Sequence, residues 1–117
     1  MLGIGGIFLR ADDPEALRAW YEQNLGIPIE DWGGHPFVAD AGDATFWSIF
    51  PGDTEYWPAA KQTMVNYRVR DLDAMLAQLR AKGAAVEEPQ DMEGVGRFGW
   101  VTDPEGNRIE LWQPVGN

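Results

Sequence analysis

Glu110 sits in the run Arg108-Ile109-Glu110-Leu111-Trp112, where apolar Ile109 and Leu111 alternate with Glu110 and Trp112. Successive side chains of a strand point to opposite faces, so packing Ile109 and Leu111 on a core turns the carboxylate and the indole the other way. A carboxylate beside an aromatic wall can act as a general base, hold a ligand cation, or pair with Arg68 or Arg108. The same alternation sets Met64, Asn66 and Arg68 opposite Val65, Tyr67 and Val69. In a partly apolar cleft, Asn66 and Arg68 would bind carbonyl or carboxylate oxygens, the arginine through a two-pronged fork. A solvated strand edge is the alternative. Gly6, Phe8 and Arg10 alternate against Ile7 and Leu9, which makes Phe8 a pocket wall and Gly6 a gap beside it.

His35, the single histidine, lies in Trp32-Gly33-Gly34-His35-Pro36. The glycines suit a flap over a cleft, and an imidazole there could shuttle protons; a solvated turn histidine is the plainer reading. The chain has no cysteine, which excludes thiolate nucleophiles, disulfides and zinc–thiolate sites. A Ser–His–Asp hydrolase is excluded as well, because no nucleophile elbow is present.

Two helices and a series of short strands must position these residues. Gly3 to Arg10 reads as a strand, followed by Asp12-Asp13-Pro14-Glu15, a helix start with Asp13 as cap and Pro14 at the first helical position. Leu17, Trp20, Tyr21 and Leu25 keep helical spacing, and Gly26 supplies a left-handed cap. Three short strands follow, at Ile27–Trp32, Pro36–Ala39 and Ala44–Phe50, separated by glycine-bearing turns. The pattern then begins again. Thr63–Val69 is a strand, and Asp71 caps a helix with Leu72, Met75, Leu76 and Leu79 on one side, ended by Gly83. Ala84–Glu88, Val95–Thr102 and Asn107–Gln113 are strands, the last two joined by the tight turn Asp103-Pro104-Glu105-Gly106-Asn107.

The halves align at Asp13 with Asp71, at Gly26 with Gly83, and at Trp47–Pro51 with Glu110–Pro114. Such self-similarity points to a fused repeat: one α+β domain of two tandem βαβββ modules, residues 1–52 and 63–117, joined by a linker at 53–62. Each module would bury one sheet face under its own helix, with the other faces curling around a cleft. At 117 residues and 44% hydrophobic content, one sizeable core is affordable.

A formal net charge of −10 repels phosphate backbones and attracts cations, so nucleic acid is excluded as a partner. No run of eighteen apolar residues is present to span a membrane, and no basic stretch precedes the first apolar run as in a secretory leader. These features fit a reducing cytoplasm.

The runs Arg68-Val69-Arg70-Asp71-Leu72-Asp73-Ala74, Gly96-Arg97-Phe98-Gly99-Trp100 and Asp103-Pro104-Glu105-Gly106-Asn107-Arg108-Ile109-Glu110-Leu111-Trp112-Gln113-Pro114 resemble the vicinal oxygen chelate superfamily. That superfamily includes glyoxalase I, extradiol dioxygenases and bleomycin-resistance proteins. The resemblance implies the paired βαβββ fold, a pocket inside the curled sheet, and a homodimer. Its enzymes hold a divalent metal on the first and last strands of each module, and these positions carry over to Gly6, Trp47, Met64 and Glu110. Of the four only Glu110 is a hard-metal ligand, so no metal or other cofactor is expected. Trp47 then becomes an aromatic wall that pairs with Trp112 around a planar or cationic organic molecule.

The reading is therefore a small-molecule-binding protein of the bleomycin-resistance type. Its ligand residues are Phe8, His35, Trp47, Met64, Asn66, Arg68 and Trp112. The alternative is a glyoxalase-like lyase or isomerase with Glu110 as catalytic base on a carbonyl substrate.

Overall fold

The computed structural model describes residues 1–116. Both expected helices form where their caps require. Helix α1 (Pro14–Leu25) starts on Asp13, whose carboxylate accepts from the Ala16 amide at 3.1 Å, and stops at Gly26 in the left-handed region. Helix α2 (Leu72–Ala81) starts on Asp71, which accepts from the Ala74 amide at 3.0 Å. It buries Leu72, Leu76 and Leu79, one face at i, i+4 and i+7. No helix is long and apolar enough to cross a membrane among the described residues.

A single mixed sheet carries the core. Its strands are β1 (Asn66–Arg68), β2 (Ala85–Val86), β3 (Gln90–Met92), β4 (Gly96–Thr102) and β5 (Arg108–Pro114), in the order β1-β5-β4-β2, with β3 also paired to β4. β1 runs parallel to β5 and the other pairs are antiparallel. Leu72, Leu76 and Leu79 of α2 and Leu17 and Tyr21 of α1 pack with Val101, Ile109 and Leu111 from the sheet. Gly99 permits the approach of α2, since a Cβ there would lie 3.1 Å from Leu76. Full burial of each leucine contributes about 1.5–3 kcal/mol, so this single layer of helix on sheet is the energetic centre of the fold.

Three outcomes differ from the expectation. First, α1 does not cover a sheet of its own half. It joins α2 on the second-half sheet, held by the Tyr21 hydroxyl donating to buried Asp103 at 2.7 Å. Glu105 strengthens the tie by accepting from the amides of Asp12 (2.8 Å) and Asp13 (2.9 Å) at the helix start.

Second, the first-half segments at Gly3–Arg10, 27–32, 36–39 and 44–50 form no strand ladder, so the sheet is five-stranded and not closed. Their turns do form, with Gly33 donating to the Glu30 carbonyl at 2.9 Å and Asp43 to that of Asp40 at 3.1 Å. The segments between make no ladder hydrogen bonds, and α1, which would have buried their apolar side chains, packs on the second-half sheet. Third, β3 is additional. It pairs with the start of β4 through Gln90–Phe98 and Met92–Gly96.

Candidate functional site

The sheet face away from the helices gathers the chemistry. Cross-strand partners share a face, so the registers Asn66↔Glu110, Trp100↔Glu110 and Phe98↔Trp112 put these five side chains together. Glu110 is 8% exposed. Its carboxylate accepts from Asn66 Nδ2 at 2.8 Å and Trp100 Nε1 at 3.0 Å, and from the Tyr56 hydroxyl. Beside it Trp112 stacks on Phe98, with centroids 6.1 Å apart and planes within 8°, and meets the edge of Phe46 at 5.5 Å. Trp112 Nε1 donates to the Val95 carbonyl at 3.1 Å, which satisfies the polar end of a nearly buried ring.

Tyr56 closes this arrangement from the segment between the halves. Its ring stacks on Phe50 at 5.7 Å and stands edge-on to Trp100 at 6.3 Å. The Arg108 guanidinium lies 5.1 Å from the Tyr56 centroid and 4.9 Å from that of Trp100, and it donates to the Tyr56 carbonyl. A two-pronged pair with Glu87, at 2.8 and 2.9 Å, fixes Arg108 in turn and holds the Glu87 carboxyl below its ordinary range. A cleft of about 590 Å³ opens between Thr54–Ala59, Glu87 and Arg108, and Tyr56 reaches from it to Glu110.

Burial, then the bond to Glu110, pushes the Tyr56 phenol up to about 12. Burial also raises Tyr67 and, more strongly, Tyr21 beside Asp103. These are all three tyrosines of the chain. An ultraviolet titration of the folded protein is therefore expected to show little tyrosinate at pH ~10, where ordinary tyrosines are half ionised. A raised folded pKa means that the stability is intact below about 10 and is lost as pH climbs toward 12. Half the tyrosine signal developing near pH 10 without unfolding would contradict this packing.

Glu110, Asn66 and Trp112 thus meet as the alternation predicted. Arg68 lies on their face but is turned to the first half, donating to the Ala44 carbonyl at 2.7 Å and lying 3.8 Å from Asp43. The ion pair considered for Glu110 does not form with Arg68 or with Arg108, because each guanidinium has another acidic partner. Met64, half-buried, lies just before β1. Phe8 (94% exposed) and Trp47 (73% exposed) face solvent, since the strands expected to carry them are unpaired. His35 stands apart, with Nδ1 3.1 Å from Glu30 Oε2 and its ring edge-on to Phe37. Tyr56, Trp100 and Arg108 were not anticipated as site residues. The in-phase spacing of Phe98 and Trp100 is the one signal that could have found any of them.

The four positions inherited from the resemblance supply a single carboxylate, and three donors take most of its roughly four lone-pair directions. Among the described residues no three His, Cys, Asp or Glu side chains converge.

Comparison with known proteins agrees with this architecture. A family model described as a glyoxalase-like domain matches residues 6–112. The chain is 32% identical over 116 residues to "Putative glyoxylase CFP32" of Mycobacterium tuberculosis, with 92% of this chain and 42% of that protein aligned. It spans about two-fifths of the length of the curated relatives it matches. Among solved structures it is similar to TnmS3, described as an antibiotic binding protein from Streptomyces sp. CB03234. That match has 26% identity and a TM-score of 0.63, and covers 98% of this chain and 100% of the other. A glyoxylase/bleomycin resistance protein/dioxygenase domain from Frankia sp. EAN1pec matches with TM-score 0.64 at 15% identity, over 98% and 99% of the two chains. The open mixed sheet, its helix-covered face and the family match together place this chain in the glyoxalase-like domain family of the vicinal oxygen chelate superfamily.

Proposed function

We propose that this protein binds a small planar organic molecule, cationic or carbonyl-bearing, without a metal ion, and does so as a homodimer. The observation that carries this reading is Glu110, a nearly buried carboxylate held by three neutral donors between Trp100 and the Trp112–Phe98 stack. Aromatic faces give a flat ligand dispersion and cation–π contact, and a desolvated carboxylate offers it one strong polar partner. The net charge of −10 favours a cation at longer range. Similarity to an antibiotic binding protein at 26% identity supports sequestration over turnover. The donor set does not suit the divalent ion of the family's enzymes, because Gly6 and Trp47 offer no ligand and Met64 only a thioether.

The test uses protein purified without chelators. Elemental analysis is expected to find less than a stoichiometric divalent metal. Proflavine, a planar organic cation, is expected to raise the melting temperature by several degrees at saturating concentration. One metal ion per chain would overturn the reading, as would the absence of any shift across a panel of planar cations and carbonyl compounds.

A lyase or isomerase is the second reading, favoured by the carboxylate and by the glyoxylase description of the mycobacterial relatives. Glu110 would then take a proton from carbon next to a carbonyl, and it must first release one of the donors that hold it.

A further inference from the structure

We infer that the Tyr56 side chain occupies the ligand's own place on Glu110, and that the ligand is a flat aromatic bearing an O–H or N–H, which displaces it. This rests on the ligand-binding reading above and names the chemistry the ligand must carry.

The carboxylate is the first observation. Glu110 is nearly buried, and its oxygens already accept from Asn66, Trp100 and Tyr56. A ligand therefore bonds to it in place of one of these donors. Asn66 and Trp100 stand directly opposite Glu110 on β1 and β4, where the strand ladders fix their backbones, and Trp100 is itself buried. Tyr56 belongs to neither strand nor helix, and of the three it is the one that lines the cleft of about 590 Å³.

The bonds that shape its segment spare the Tyr56 side chain. The Tyr56 amide donates to Thr54 Oγ1 at 3.2 Å, Trp57 Nε1 to the Lys61 carbonyl at 3.1 Å, and Arg108 to the Tyr56 carbonyl. A turn about the Tyr56 Cα–Cβ bond thus frees Glu110 and leaves the segment standing. The half-buried hydroxyl then donates to water.

The place that Tyr56 fills is the second observation. Its ring stacks on Phe50 with planes 21° apart, stands edge-on to Trp100, and lies 5.1 Å from the Arg108 guanidinium. These are the contacts of a bound aromatic: a stacked face, an indole at the edge, a cation over the ring and a carboxylate accepting its O–H. The cleft beyond it runs along Trp57 and Pro58 and has the volume of a ligand site, so a fused ring system continues into it.

The donor follows from the carboxylate. A ligand without one leaves a nearly buried charged group with a partner fewer, which costs more than the loss of a bond between neutral groups. A phenolic O–H restores that bond, and so does an aryl N–H such as those of proflavine. With its phenol pushed up to about 12, Tyr56 keeps its own proton at neutral pH, and the exchange is donor for donor.

β-Naphthol and its methyl ether test this, being flat, neutral and different only in the O–H. In calorimetric titration at neutral pH, naphthol is expected to bind at least about tenfold more tightly than the ether. Tyr56→Phe removes the competing hydroxyl and keeps a ring on Phe50, and it is expected to tighten naphthol about 5–20-fold. A tyrosine that merely builds the pocket gives the opposite sign. The third readout needs no variant. With tyrosine labelled at ¹³Cζ, saturating naphthol is expected to move one of the three signals toward that of solvated tyrosine. Equal binding of the two naphthalenes would overturn the inference. So would naphthol affinity that falls or stays unchanged in Tyr56→Phe, or three unmoved tyrosine signals. If proflavine still binds in any of these cases, ligand binding stands and only the place assigned to Tyr56 falls. No binding of proflavine or naphthol to either protein would overturn both.

Discussion

Asp103→Ala is expected to lower the melting temperature by about 10–20 °C, a loss of roughly 3–5 kcal/mol. The carboxylate is buried and accepts four hydrogen bonds: from the Tyr21 hydroxyl and Asn107 Nδ2, both at 2.7 Å, and from the amides of Glu105 at 2.9 Å and Asn107 at 3.0 Å. Hydrogen bonds to a charged group contribute about 1.5–3 kcal/mol each, but they share one acceptor and do not add. The change releases the β4–β5 turn and strands the Tyr21 hydroxyl in the core. Tyr21→Phe removes one of the four bonds and keeps the turn, so it is expected to cost about 1–2 kcal/mol. Arg80→Ala breaks only an exposed 3.7 Å pair with Glu88 and is expected to stay within about 0.5 kcal/mol. Thermal and urea unfolding of the three variants check the order. An Asp103→Ala shift no larger than that of Arg80→Ala would mean the turn is not a structural hinge of this fold.

The contrast between that turn and the first half shows what local pattern can carry. Caps on Asp13 and Asp71 and the leucine spacing of α2 are decided within a few residues, and each forms as read. The β4–β5 hairpin is similarly local: Trp100 and Glu110 stand five residues either side of Glu105, so the turn alone sets their register. The face shared by Asn66, Glu110 and Trp112 followed from alternation. Three things were not legible. The hold of Glu105 on the start of α1 joins residues more than ninety positions apart, with no periodic signal to announce it. Tyr56 comes from a proline-bearing segment without alternation, and it is held by tertiary contacts with Arg108, Phe50 and Trp100. The first-half segments carry strand-like apolar runs bounded by turn residues, yet a strand forms only on a partner edge, and side-chain pattern does not say whether one is met.

Glu110→Gln and Glu110→Leu separate the charge of the site from its packing. In the glutamine variant the remaining carbonyl can still accept from Tyr56 and Trp100, and the Asn66 amide can turn its oxygen to the new NH₂ group. The fold is therefore expected to change by less than about 1 kcal/mol. Glu110→Leu has no acceptor and strands Trp100 Nε1 in a buried position, while Asn66 Nδ2, on an exposed residue, and the partly buried Tyr56 hydroxyl lose their partner. Its expected cost is about 2–4 kcal/mol, offset only where Tyr56 swings out to water. Binding divides the other way. Loss of the negative charge is expected to weaken a planar cation such as proflavine about 10–100-fold in Glu110→Gln, or 1.4–2.7 kcal/mol. A neutral planar carbonyl compound, which depends on Trp112 and Phe98, is expected to lose less than about threefold. Calorimetric titration of both ligands against both variants, beside their melting curves, checks these values. Equal weakening of the two ligands by the glutamine variant would mean that Glu110 shapes the pocket without supplying its charge. An unweakened cation would remove Glu110 from the binding site. In the enzyme reading the same variant must abolish turnover while sparing affinity for the neutral compound, since an amide cannot take the proton that a carboxylate can.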